Sequence, residues 1–269
     1  MDLTLSVVIP AYDEELRLPG TLQAITRYLK AQPYASEIIV VDDGSRDRTV
    51  AVAEEHGQAM RRNGQQVALR VIRNEHRGKG FAVRTGVLSA QGKYVLFTDA
   101  DLAVPFEEWE KLYDFLRAGV QVAIGSREGL GAQRIGEPWY RHVMGRVFNA
   151  LVRGVALAGI EDTQCGFKAF TYDAARRIFS AVRLYGADAK AMRGPAVTAF
   201  DVEVLYLARK WGYTIRVVPV TWRYGEGTKV NPVRDSWRQF ADVMRVRWYA
   251  LRGHYAELPA PSVEEGPLV

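Results

Sequence analysis

Cysteine is nearly absent from this chain, and so are long apolar runs. Cys165 is the single cysteine among 269 residues, which excludes an internal disulfide and a cysteine-rich zinc cage. The four histidines, His56, His76, His142 and His254, are too scattered for metal-ligand spacing. No apolar run is long enough to span a bilayer, and no basic-then-apolar leader precedes the first strand pattern. A reducing cytoplasm is the expected setting, with any membrane met from its surface. Internal repeats and low-complexity tracts are also missing, which excludes solenoid architectures.

What is present is ordinary for a globular protein: 48% hydrophobic and 25% charged residues, in a length that suits one large α/β domain with a small appendage. Lys and Arg number 36 against 31 Asp and Glu, a net charge of +5. That mild excess fits anionic partners such as nucleotides, phospholipid surfaces or nucleic acid without choosing among them.

The first half alternates strand and helix patterns. Thr4 to Pro10 reads as a strand, followed by the acidic turn Asp13-Glu14-Glu15 and a helix opened near Pro19 with Leu22, Ile25 and Leu29 at helical spacing. Glu37 to Val41 is a second strand running into Asp42-Asp43-Gly44-Ser45, with Asp47 placed to cap the next helix. Val67 to Arg73 is a third, ending in Asn74 to Gly80 ahead of a helix through Phe81, Val83, Val87 and Leu88. This β-α-β-α order favours a parallel sheet whose polar and acidic loops share one edge.

The fourth strand, Val95-Leu96-Phe97, stops in Thr98-Asp99-Ala100-Asp101. Two nearby acids are most often a solvated turn. Mounted at the carboxyl end of a buried strand, however, they project where open α/β sheets bind ligands. Crowded carboxylates there call for a cation, and hard oxygen donors suit Mg²⁺ or Mn²⁺.

Further along, Glu107 to Leu116 is helical and Val120 to Gly125 a strand ending in Ser126-Arg127. Glu128 to Tyr140 reads as a loop, Val143 to Ala158 as a helix, and Leu184 to Thr198 as another loop. Asp201 to Trp211 is helical, Thr214 to Val220 a strand, and Arg223 to Pro232 a basic loop. From Arg234 to Arg252 comes a basic amphipathic helix with Trp237, Phe240, Ala241, Met244, Trp248 and Leu251 on one face. That face either packs on the domain or docks at an anionic membrane. The proline-containing tail 257–269 is expected to be disordered.

Seven motifs in fixed order resemble the family 2 glycosyltransferases of the GT-A fold, nearest to the dolichyl-phosphate β-glucosyltransferases and polyprenyl-phosphate glycosyltransferases. They are Val8 to Glu15, Val41 to Ser45, Asn74 to Gly80, Thr98 to Asp101, Gly125 to Arg127, Asp162 to Lys168 and Lys229 to Ser236. The resemblance spans about Leu3 to Arg252. It implies a Rossmann-like nucleotide-diphospho-sugar transferase fold, with a mostly parallel sheet flanked by helices. It divides the chain into a catalytic domain (1–225), a basic loop and amphipathic helix (226–256) and the tail (257–269).

The resemblance also implies roles. Pro10, Ala11, Tyr12, Glu14, Asp42 and Asp43 would hold the base and ribose of a nucleotide sugar, with Lys79 reaching the diphosphate. Asp99 would face the ribose or the metal, and Asp101 would bind the Mg²⁺ or Mn²⁺ that bridges the diphosphate. Arg127, Arg141, Gln164 and Lys168 would meet the acceptor phosphate, and Asp162 would act as base or orienting carboxylate. The serine expected shortly after Arg141 is not evident, Gly145 lying near that place. Cys165 reads as a small packed hydrophobe.

The implied activity is inverting transfer of a hexose, UDP-glucose being the leading donor, onto a polyprenyl phosphate at the cytoplasmic membrane face. Transfer to a soluble sugar or glycan, or mannosyl transfer from GDP-mannose, uses closely similar motifs. A basic module binding nucleic acid or membrane is the non-enzymatic alternative. It leaves the ordered acidic turns without a purpose, so no nucleic-acid partner is expected. The oligomeric state is not legible.

Overall fold

The computed structural model describes residues 3–62, 67–136, 160, 162–192, 194, 198–225 and 232–255, with backbone alone for 232–236. The chain opens with β1 (Leu3–Ala11), α1 (Leu18–Lys30), β2 (Ala35–Asp42), α2 (Thr49–Arg62), β3 (Ala68–Arg73), α3 (Lys79–Ser89) and β4 (Tyr94–Thr98). A 3-10 turn (Phe106–Glu108) leads to α4 (Trp109–Arg117), β5 (Val122–Ser126) and β6 (Gln133–Ile135). Then follow β7 (Phe167–Thr171), α5 (Tyr172–Ala181), α6 (Phe200–Lys210), β8 (Ile215–Pro219), β9 (Thr221–Arg223) and α7 (Pro232–Leu251).

Seven strands form one sheet in the order β3-β2-β1-β4-β7-β5-β8, and β6 and β9 pair separately. Alternating side chains of the central strands enter two apolar cores. Val8, Ile39, Val41, Val95 and Phe97 face one core; Val7, Ile9, Ile38, Val40 and Leu96 face the other. Burial on both faces is why these strands read as nearly continuous apolar runs. Helix α3 lies so close to the sheet that a Cβ on Gly86 would collide with Val8 and Val41. This close seat brings the start of α3, where Lys79 stands, onto the sheet edge.

Strands β1, β2, β3 and β4 run parallel, and β4 lies on the opposite side of β1 from β2 and β3. The crevice between the ends of β1 and β4 is therefore the point where strand order reverses, the usual ligand position in such sheets. The sequence reading assigns no element between Lys168 and Leu184, yet β7 and α5 lie there. Strand β7 is antiparallel to β4 and β5, with Thr98 opposite Phe167. An antiparallel strand starts where its neighbours end, so Asp162 to Gly166 arrives at the ligand edge.

One expectation is amended, and one open alternative narrows. The loop expected over Glu128 to Tyr140 contains β6, paired with β9 through Gln133↔Thr221, Arg134↔Trp222 and Ile135↔Arg223. Helix α7 does not pack through its most apolar face. It buries Gln239, Asp242, Val243 and Val246, and the last two join Tyr255 in the core shared with α6. Asp242 is satisfied there by Tyr185 Oη–H (2.8 Å) and the Ala199 N–H (3.2 Å). No helix among the described residues is long and apolar enough to cross a membrane. Arg141, Glu161, the helix expected over 143–158, the Lys229–Asn231 part of the basic loop and the tail lie outside the described residues.

Candidate active site

At the β1/β4 crevice lies a cavity of about 220 Å³ lined by Pro10, Ala11, Tyr12, Glu14, Asp43, His76, Gly78, Lys79 and the run Asp99 to Asp101. It gathers the ends of β1, β2 and β4 and the start of α3. Of the residues expected to hold a nucleotide sugar or metal, all but Asp42 line it. Asp42 is buried and turned into its own loop, where its carboxylate accepts the N–H groups of Gly44 (3.1 Å) and Ser45 (3.3 Å).

Asp43 is fixed from three directions. Its carboxylate accepts the N–H groups of Arg77 and Gly78, both at 2.9 Å, and lies 2.8 Å from His76 Nδ1. Burial pushes its carboxyl above the ordinary range despite those partners. The His76 ring stacks on Tyr12 with centroids 4.1 Å apart and planes 13° from parallel, and its Nε2 lies 3.0 Å from the Gly194 carbonyl. Sequence reasoning missed His76, because four scattered histidines were weighed only as metal ligands. A lone histidine in a turn directly after a strand, on the edge that carries the acids, was the available signal.

Lys79 Nζ sits 2.5 Å from Asp99 Oδ1, and the pull of Asp99 and Asp201 raises the lysine above its usual pKa against the cost of burial. Asp101 Oδ1 accepts the Ala103 N–H at 3.1 Å. Partial burial and the neighbouring Asp99 charge push the Asp101 carboxyl upward, against the pull of Lys79 and Arg17. Lys79 thus pairs with Asp99, while the Asp101 carboxylate is crowded by burial and by its neighbour, a setting in which a bound cation is favourable. Among the described residues no three His, Cys, Asp or Glu side chains cluster as metal ligands. Two carboxylates suffice for Mg²⁺ or Mn²⁺ when diphosphate oxygens and water complete the coordination, so the donor set fits. Glu14, at the far wall, is gripped by Arg17 through two contacts of 2.6 Å.

Gly166 explains part of the last motif. Its carbonyl accepts the Asp99 N–H at 3.2 Å, and a Cβ there would run into the Asp99 carboxylate. The turn ahead of β7 therefore needs glycine to lie against the acid pair.

Beside this turn, the loop after β5 meets the approach to β7. Arg127 donates from its backbone N–H (2.9 Å) and Nε (2.8 Å) to Asp162 Oδ2, and from a terminal N–H to Oδ1 at 2.8 Å. Asp162 is fully buried, which alone would raise its pKa. The Arg127 charge and hydrogen bonds, with help from Lys168, hold it well below the usual carboxylate range. Its neighbour Gln164 donates a backbone N–H to Asp162 Oδ1 at 3.3 Å, and Gln164 Nε2 is buried without a hydrogen-bond partner among the described residues.

Lys168, expected at the acceptor phosphate, is held by partners within the protein. Its ammonium is fully buried, 2.6 Å from Asp201 Oδ1 and hydrogen-bonded to the Cys165 carbonyl, so it ties β7 to α6. Asp201 is the unforeseen partner, visible in sequence only as the start of a helix. Burial pushes the Cys165 thiol up to about 12, in keeping with a packed, unreactive side chain.

The sequence pattern described as Glycosyl transferase family 2 matches residues 6–179. The chain belongs to this family. It is 33% identical over 264 residues to dolichyl-phosphate beta-glucosyltransferase of Dictyostelium discoideum, covering 94% of this chain and 76% of that one. With the Homo sapiens protein of the same description it shares 37% over 262 residues, covering 93% and 76%. Among solved structures it superposes on glucosyl-3-phosphoglycerate synthase of Mycobacterium tuberculosis in complex with Mn²⁺, uridine-diphosphate and glucosyl-3-phosphoglycerate. That match has a TM-score of 0.58 and 19% identity, covering 96% of this chain and 81% of the other. The fold is GT-A, and the protein is a glycosyltransferase.

Proposed function

We propose that this glycosyltransferase moves glucose from UDP-glucose, with inversion, onto a polyprenyl phosphate of the dolichyl type. Pro10 to Tyr12, Asp43 and His76 cradle the base and ribose, and Lys79 reaches the diphosphate. Asp99 and Asp101 would hold Mg²⁺ or Mn²⁺, which when bound would neutralise charge gathering on the departing diphosphate. An oxygen of the acceptor phosphate attacks C1, the C1–O bond to the diphosphate breaks, and UDP leaves with the electron pair. The GDP-mannose donor is set aside because the curated relatives are named for glucosyl transfer.

The observation that carries the acceptor class is the Arg127–Asp162 pair. A neutral hydroxyl acceptor needs a base of suitable pKa, and Asp162 is a weak base because Arg127 occupies and stabilises its charged form. A phosphate arrives already anionic and needs no such base. It is met by guanidinium donors, and Arg127, just past the carboxyl end of β5, is the donor assigned in this reading.

The test is incubation of the protein with polyprenyl phosphate and a panel of nucleotide sugars, with and without Mn²⁺, reading the lipid product by mass. A hexosyl-phosphoryl lipid formed from UDP-glucose only with metal is expected. Transfer confined to soluble sugars or to water would overturn the acceptor, and a product from GDP-mannose alone would overturn the donor.

A further inference from the structure

Helix α7 carries two apolar stripes. One enters the core through Val243 and Val246. The other faces away from the domain: Trp237 is 71% exposed, Met244 44%, Trp248 48% and Leu251 75%. At 100° per residue these four fall within an arc of about 60°, on the side of the helix away from the buried pair. The exposed Arg245 and Arg252 border that arc on one side and the exposed Arg247 on the other, and Arg252 lies over the Trp248 ring at 5.0 Å. The single carboxylate between Trp237 and Tyr255 is Asp242, which is buried.

We propose that this outward face of α7 docks on an anionic lipid bilayer, the helix lying flat with its aromatic stripe in the interface and its arginines among the headgroups. Three features select lipid as the occupant. The stripe is an indole-rich line along one helix, suited to a planar boundary. Its borders are wholly cationic, complementary to anionic headgroups and able to extend toward them. A second copy is disfavoured by the same charges: pairing the helices face to face, parallel or antiparallel, sets arginine borders against arginine borders. The domain supports the posture, because the opposite stripe anchors the helix through the core and the buried Asp242 contacts. This inference rests on the lipid-acceptor reading for its purpose, though not for its measurement.

The experiment is co-sedimentation of the full chain with phosphatidylcholine vesicles and with vesicles containing phosphatidylglycerol, without nucleotide or acceptor. Tryptophan emission is followed in parallel. Binding to the anionic vesicles with a blue shift is expected, weakened at least tenfold by Trp248→Ser/Leu251→Ser and by Arg247→Glu/Arg252→Glu. These positions are exposed, so the melting temperature should stay at the wild-type value. Both variants should keep wild-type glycosyl transfer to a water-soluble short-chain isoprenyl phosphate, which separates failed docking from failed chemistry. Equal binding by wild type and variants, or none by any, overturns the proposal. So does concentration-dependent dimerisation abolished by Trp248→Ser/Leu251→Ser, which would assign the face to a second copy. Vesicle binding that emerges only after deletion of residues 257–269 would assign the face to that tail and equally overturn it.

Discussion

Asp101 and Asp162 are both carboxylates at one sheet edge, yet their surroundings drive them apart. Asp101 is short of positive partners and its pKa is raised; Asp162 is enclosed by Arg127 and its pKa is lowered. Asp101→Asn removes a ligand without opening a cavity. Glycosyl transfer should fall by on the order of a hundredfold or more, as expected when Lewis-acid stabilisation is lost, with thermal melting no lower than wild type. Asp162→Asn should behave in the opposite way. It leaves the Arg127 guanidinium without its counter-charge and should cost about 3 kcal/mol of stability, read by denaturant titration. Turnover with a phosphate acceptor should drop by no more than about tenfold, whereas an essential general base would be expected to cost roughly 100-fold or more. The sign of the pH effect follows from the lowered pKa. The Asp162 contribution is complete above its unfolded value near 3.8 and is lost as pH falls through the folded value. Wild-type stability should therefore fall more steeply than that of Asp162→Asn below about pH 4.

At the scale of elements, β7 is the piece on which the proposed acceptor side depends. It enters the sheet antiparallel, carries the Gly166 turn against Asp99, and is tied to α6 by the buried Lys168–Asp201 pair. Lys168→Met should destabilise by about 3–5 kcal/mol, because it strands Asp201 in a dry interior. The double variant Lys168→Met/Asp201→Leu should recover most of that loss, since both charges are then gone. Transfer to polyprenyl phosphate by the double variant distinguishes the roles. Near-wild-type KM for the acceptor is expected of a structural tie, and a selective rise in that KM would return Lys168 to the acceptor pocket.

For the molecule as a whole, four parallel strands, one antiparallel insertion and α3 converge on a single crevice, so nucleotide and metal should brace elements that are distant in sequence. UDP at about 100 times its Kd, measured with Mn²⁺ present, should raise the melting temperature by the equivalent of roughly 3 kcal/mol by mass action. Chelation with EDTA should remove most of that shift, and Asp101→Asn should remove it also. A UDP-induced shift of equal size without metal would argue against a bridging cation.

The sequence alone determined most of the local elements and the sheet edge that carries the acid pair. Two-residue and 3.6-residue periodicities are written in neighbouring side chains, and a strand that stops in carboxylates shows its exit wherever it is later placed. β1 to β4, α1 to α4 and the ligand loops could be read in this way. Only the tertiary structure decided which way the carboxylates turned: Asp42 into its own loop, Asp43 toward Arg77, Gly78 and His76, and Asp162 into the grip of Arg127. It also buried Lys168 on Asp201 and turned the tryptophan stripe of α7 away from the core. Apart from the local turn of Asp42, the side-chain pairings among these join partners 30 or more positions away in the chain, as with Arg127 and Asp162 at a separation of 35 residues. A periodicity identifies two faces of a helix, and only the packing of the rest of the chain selects the one that is buried.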